Sequence, residues 1–299
     1  MPQNDRLQRA RIALEGLSVG DAFGSFFEFN AAMVRLIEER KLPPTPWMYT
    51  DDTNMALSVY ANLRQYGHIN QDVLAASYVA QFDPLRGYGI GVRQMLVRMN
   101  NDEPWQKVAQ EMFWGEGSFG NDAAMHVAPV GAYFADDLEQ AAAQARLAAG
   151  VTHTHPEGLA GAAAVAVAAA VAWQSRGSAL TRTALIDSVL PLVPRGEVHA
   201  GLQVARDLPA AVTTAAAAQT LGNGSRASVQ DTVPFALWCA GTYADDYEEA
   251  IWQAARALGD VDTICAIVGA LVALRSGIES IPFDWLHYRE PLPSWALNP

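Results

Sequence analysis

"GLAGAAAVAVAAAVAW", residues 158 to 173, decides what kind of molecule this is. The run has no charge, so it reads either as a membrane span or as an interior helix. A span needs roughly 17–25 residues of strongly apolar character. This stretch is shorter than that and mostly alanine, which is only weakly hydrophobic. Small side chains instead suit a central helix on which other helices pack closely, so a soluble, helix-rich protein is expected.

The flanking sequence agrees. Apolar residues recur at helical spacing in "LQRARIALEGLSVGDAFGSFFEF", "TNMALSVYANLRQY", "QDVLAASYVAQF", "LEQAAAQARLAAGV", "LTRTALIDSVLPLV" and "YEEAIWQAARAL". Start signals are Asp102 before "EPWQKVAQEMF" and Asp245–Asp246 before Tyr247. Alternating Val, Ile and Thr runs are scarce, and no βαβ rhythm, fixed repeat or Pro/Ser-rich linker interrupts the chain. The expectation is one all-α domain over 1–299, a compact many-helix body. Its longest irregular stretches, "KLPPTPWMY", "GEGSFGND" and "TLGNGSRAS", mark where function concentrates.

Composition narrows the classes. The chain has 299 residues, 51% of them hydrophobic, and a net charge of −12. That balance argues against a nucleic-acid surface or an anionic membrane as partner. The two cysteines, Cys239 and Cys265, lie in apolar helical surroundings and read as buried free thiols of a reducing compartment. The N-terminus lacks the apolar core of a signal peptide, and a cytoplasmic location is expected.

Two acidic knots carry the chemistry. "MYTDDTNMAL", 48 to 57, sets Thr50, Asp51, Asp52 and Thr53 ahead of an apolar helix, and "LGDVDTICAIVGALVAL", 258 to 274, does the same with Asp260, Asp262 and Thr263. Each is explained as a helix cap. Converging in space, they would also supply the oxygen ligands that hard divalent cations require. Glu28, after "GDAFGSFF", reads as a solvated surface acid or as a ligand or base facing that site. "GEGSFGNDAAMHVAP", 115 to 129, offers Gly117, Ser118, Gly120, Asn121 and Asp122 before a helix starting near Ala123. It reads as a phosphate cradle or an ordinary connection, with Phe119 as a flat face for a base. His153 and His155 have neither zinc-helix nor HExxH spacing. Gly87, Gly89 and Gly91 surround Tyr88 in a loop that reads as a rim or a turn.

In order along the chain, "GLSVGDAFGSFFE", "TDDT", "RGYGIG", "GSFGNDAAM", "THTHPEGLAGA", "GNGSRASVQDTVPFALW" and "GDVDT" resemble the ADP-ribosylhydrolase (ADP-ribosylglycohydrolase) family over nearly its whole length. The resemblance implies an all-α fold with two Mg²⁺ (or Mn²⁺) in a central cleft. Thr50, Asp51 and Asp52 would bind one ion, and Asp260, Asp262 and Thr263 would complete the pair. Glu28 would be a mobile ligand, with Glu28 and Asp51 the catalytic candidates. Gly117, Ser118, Gly120, Asn121 and Asp122 would hold the diphosphate, Phe119 the adenine, His153 the phosphate side and Ser225 the adenosine end. The substrate implied is an ADP-ribosylated protein or other ADP-ribose conjugate, and the product ADP-ribose. Nucleic acid would enter only as a modified substrate, no membrane is involved, and a monomer is expected.

This chain departs from the family pattern at Val261 in the second knot, at Asp122 after Asn121, and at His126, where the family often has Arg. "RGYGIG" and "GSFGN" look closest to the branch acting on serine-linked and polymeric ADP-ribose. Arginine-linked hydrolysis and a non-catalytic ADP-ribose binder are the alternatives. An isoprenoid synthase would need an acid where Met55 stands, and a haloacid-dehalogenase phosphatase a strand before its Asp-x-Asp.

Overall fold

The computed structural model describes residues 3–27 and 33–298. The fold is all-α. Among the described residues the only β pairing is two isolated bridges, Trp47 with Arg289 and Gly120 with Ser228.

The periodic segments fold as helices Gln3–Gly24, Asp51–Tyr66, Gln71–Ala80, Leu138–Gly150, Arg182–Val189 and Tyr247–Ala255. Their starts are set by side chains that satisfy orphan amides. Asp137 accepts from the Gln140 N–H, Thr181 from Ala184 and Asp246 from Glu249. One expected start is corrected. Asp102 adopts φ 64°, and the next helix is Trp105–Glu111 with Pro104 at its cap position. A left-handed residue cannot take the extended cap conformation, so proline's fixed φ starts the helix.

The alanine-rich run is the helix Pro156–Gln174, and 78% of its apolar window is buried. It packs against Leu138–Gly150, Ala128–Tyr133 and Val261–Ser276. Both cysteines are free and buried.

The contact that builds the site lies between Gln3–Gly24 and Val261–Ser276, which run antiparallel. A Cβ on Gly16 would lie 2.3 Å from the Gly269 carbonyl oxygen, one on Gly20 2.1 Å from that of Cys265, and one on Gly24 2.6 Å from Asp262 Cα. Glycine every fourth residue thus lets the two backbones touch along one face. Asp21 is carried by the first helix and Asp262 by the first turn of the second, so this approach brings the two acids together.

Candidate metal and nucleotide site

Asp21, Asp52 and Asp262 are all buried and offer carboxylate oxygens that lie within 4.8 Å of one another. Around them opens a cavity of about 390 Å³, lined among others by Thr50, Asp51, Asn121, Asp122, Ser225 and Asp260. The two knots therefore converge on one cavity.

The capping reading holds at Thr50 and fails at Asp260. Thr50 is a true cap, its hydroxyl oxygen 3.4 Å from the Asp52 N–H. Asp260 occupies the cap position of Val261–Ser276 but makes no side-chain cap bond. Its carboxylate instead accepts from Asn121 Nδ2 at 2.5 Å.

Asp21 is the residue that sequence reasoning missed. It accepts from the Thr50 N–H at 3.0 Å, Thr50 Oγ1 at 2.8 Å, the Thr53 N–H at 3.1 Å and Thr53 Oγ1 at 2.5 Å. It thereby fixes the first knot from beneath. The available signal was a lone acid inside the apolar stretch "GLSVGDAFG", since a buried charge has to be partnered.

Electrostatics show what the cavity favours. Burial, then Asp122 and Asp21, hold the Asp51 carboxyl well above the usual range. Burial, then Asp21 and Asp51, do the same to Asp52. Burial alone outweighs the threonine hydrogen bonds to Asp21 and pushes it up to about 6. Crowded carboxylates call for protons or cations. Asp52 Oδ1 is buried without a hydrogen-bond partner, a lone pair free to bind a cation. Apart from the Met125 thioether, the donors are oxygens of carboxylates, hydroxyls and the Asn121 carboxamide, with no thiol or imidazole among the lining residues, which suits Mg²⁺ or Mn²⁺ over softer ions. The residues present fit such an ion.

Part of the Gly-rich loop is tied down within the protein. The N–H groups of Gly117, Gly120 and Asn121 donate within the protein, to Met112 O, Ser118 Oγ and Ala227 O. The helix behind the loop, Asp122–Met125, is a single turn. Of the loop's residues, Asn121 and Asp122 line the cavity. Asp122 swings under the glycine strap, where a Cβ on Gly89 would lie 3.4 Å from its Oδ1. Burial raises it to about 6, so it acts as a further acid of the cavity. His153 is buried behind the loop, with Nε2 3.8 Å from Asp122 Oδ2. Burial, with His126 nearby, depresses it to about 3 and keeps it neutral.

Phe119 sits to one side of the acidic cavity, its ring 6.4 Å from that of Phe113 and 19° from parallel. Both rings are partly exposed. Phe113 was not singled out from sequence, and its left-handed backbone (φ 51°) turns it to face Phe119. Glu28 lies outside the described residues.

The profile of the ADP-ribosylglycohydrolase family matches residues 2–297. ADP-ribosylhydrolase ARH3 of Homo sapiens is 28% identical over 326 aligned positions, covering 93% of this chain and 88% of that protein. ADP-ribosylarginine hydrolase Tri1 of Serratia proteamaculans is 25% identical, covering 96% and 76%. A solved chain of an ADP-ribosylglycohydrolase-related protein complex shares the fold at TM-score 0.70 and 24% identity, covering 96% of this chain and 94% of that one. With the profile spanning nearly the whole sequence, this chain belongs to the ADP-ribosylglycohydrolase family and is a hydrolase acting on glycosidic bonds.

Proposed function

We propose that the enzyme cleaves the bond at C1″ of ADP-ribose joined through oxygen, to serine or to a further ADP-ribose, and that it depends on two Mg²⁺ or Mn²⁺ ions. The observation that carries the reading is the single cavity in which Asp51, Asp52, Asp122, Asp260 and Asp262 meet.

Thr50, Asp51, Asp52, Asp260, Asp262 and Thr263 would hold the ions, with Asp21 keeping Thr50 and Thr53 in place. Bound there, such ions supply Lewis-acid polarisation of ribose hydroxyls and water. The carboxylates themselves favour positive charge at C1″, as an oxocarbenium-like transition state requires. Asp51 and Glu28 are the proposed groups that orient the attacking water and accept its proton. The adenine would enter between Phe113 and Phe119. The two rings lie 19° from parallel with centroids 6.4 Å apart, and both are exposed.

The oxygen linkage is supported by the strap from Gly87 to Gly91. A Cβ on Gly87 would lie 3.8 Å from Asp51 Oδ1, so the strap borders the reacting end, and it contains no carboxylate. The strap itself contributes no carboxylate to pair with a departing guanidinium; an alkoxide needs only a proton. The expected result is faster ADP-ribose release from a serine-linked peptide than from a matched arginine-linked one. Preference for arginine would overturn the linkage and leave the family assignment standing.

A further inference from the structure

Asp260 stands at the cap position of Val261–Ser276, yet its side chain bonds none of that helix's amides. An acid free to move there would fold back on the open N–H groups beside it. Its surroundings hold it away from them. The Asp260 N–H donates to the Asn223 carbonyl oxygen at 3.0 Å. A Cβ on Gly224 would lie 2.4 Å from Asp260 Cβ, so the acid occupies the space that a side chain there would need. Asp260 Oδ2 accepts from Asn121 Nδ2 at 2.5 Å, and among the described residues no other group hydrogen-bonds this carboxylate. Both Asn121 and Asp260 line the acidic cavity.

Asn121 is itself fixed. It is buried, and its second Nδ2 hydrogen goes to Thr232 Oγ1 at 3.1 Å, within the helix Val229–Thr242. An ionised carboxylate can only accept, so the carboxamide has to turn its nitrogen to Asp260. Its backbone N–H is given to the Ala227 carbonyl. Asn121 therefore has no donor left for a phosphate, which the diphosphate role expected of it from sequence would need. We infer that Asn121 is a positioning residue: backed by Thr232, it holds the Asp260 carboxylate at the cavity before any ion arrives. The inference rests on the metal reading given above. A carboxylate ordered only on binding gives up rotamer freedom at that moment, and one fixed beforehand does not. Outer partners of metal ligands typically carry a factor of about 10–100 in affinity.

Mn²⁺ binding to the nucleotide-free protein, followed by loss of the free-ion electron paramagnetic resonance signal, tests this without turnover. Asn121→Ala is expected to bind Mn²⁺ about 10–100-fold more weakly than the wild type. Asp260→Ala should be weak as well. Adding Asn121→Ala to it should cost nothing more, because the carboxamide acts through Asp260 alone. Thr232→Val should shift the affinity in the same direction by a smaller factor, and Thr232→Ser should leave it at the wild-type level. Wild-type affinity in Asn121→Ala, or in Thr232→Val where Asn121→Ala does not fold, would overturn the inference. So would an undiminished further loss when Asn121→Ala is added to Asp260→Ala. A wild-type protein that binds no Mn²⁺, or an Asp260→Ala variant that binds it normally, would instead remove the metal reading beneath it.

Discussion

Gly20 approaches Cys265 so closely that a β-carbon on Gly20 would lie 2.1 Å from the Cys265 carbonyl oxygen. That contact sets the spacing of the two helices that carry Asp21 and Asp262. Gly20→Ala gains about 1 kcal/mol of helix propensity, but it forces the helices apart. Overpacking of this kind costs typically 1–3 kcal/mol and more against backbone. A net loss of about 2 kcal/mol or more in denaturant unfolding is expected, together with weaker divalent-ion binding. A variant as stable as the parent would show that the helices do not meet here.

The crowding of Asp51 and Asp52 with Asp21 predicts an unusual sign for one substitution. Asp52→Asn removes a repelling charge, so without divalent ions the variant should melt above the wild type. Adding Mg²⁺ at about 100 times its dissociation constant should stabilise the wild type by roughly 2.7 kcal/mol and leave the variant nearly unmoved. Equal Mg²⁺ shifts in the two proteins would show that Asp52 is not a ligand.

Most of this architecture is legible in the sequence where the causes are local. Thr50–Asp51–Asp52 and Asp260–Asp262–Thr263 stand out because acids and hydroxyls precede buried helices, and the helices follow from their own periodicity. What was not legible depends on contacts distant along the chain. Asp21 stands out in sequence only as a lone acid in an apolar stretch, and its role follows once Thr50 and Thr53 are seen to converge on it. Asp122 reads as part of a phosphate loop until the strap above it turns the carboxylate into the acidic cavity. Phe113 pairs with Phe119 only through a left-handed turn at Phe113 and Trp114, which no local propensity announces.

His126 gives a pH signature outside the acidic cavity. Its ring is fully buried, and burial outweighs the opposing Asp122 backbone contact and lowers its pKa to about 4. The unfolded chain takes up this proton below pH 6.5 and the folded protein only near 4, so stability is intact above 6.5 and lost as the pH falls. The group accounts for a loss on the order of 3 kcal/mol across that window. His126→Met should flatten the acid limb of the stability–pH profile by that amount. Superimposable acid limbs would mean the imidazole is not held neutral.

The facing rings of Phe113 and Phe119 predict paired losses in nucleotide binding. Phe113→Ala and Phe119→Ala should each weaken ADP-ribose binding by about 1–3 kcal/mol, the value of one base–aromatic stack, while either Phe→Tyr change leaves it nearly intact. Calorimetry with ADP-ribose is the readout. Unchanged affinity in both alanine variants would place the adenine elsewhere.

The central claim is that the carboxylates at residues 51, 52, 260 and 262 hold divalent ions that the hydrolysis requires. The most direct measurement is ADP-ribose release from a serine-linked peptide by chelator-treated enzyme, before and after Mg²⁺ or Mn²⁺ is restored, with Asp262→Ala in parallel. The account predicts no release in chelator, recovery with either ion, and no recovery in the variant. Full activity in metal-free enzyme, or an Asp262→Ala enzyme that recovers like the wild type, would contradict it.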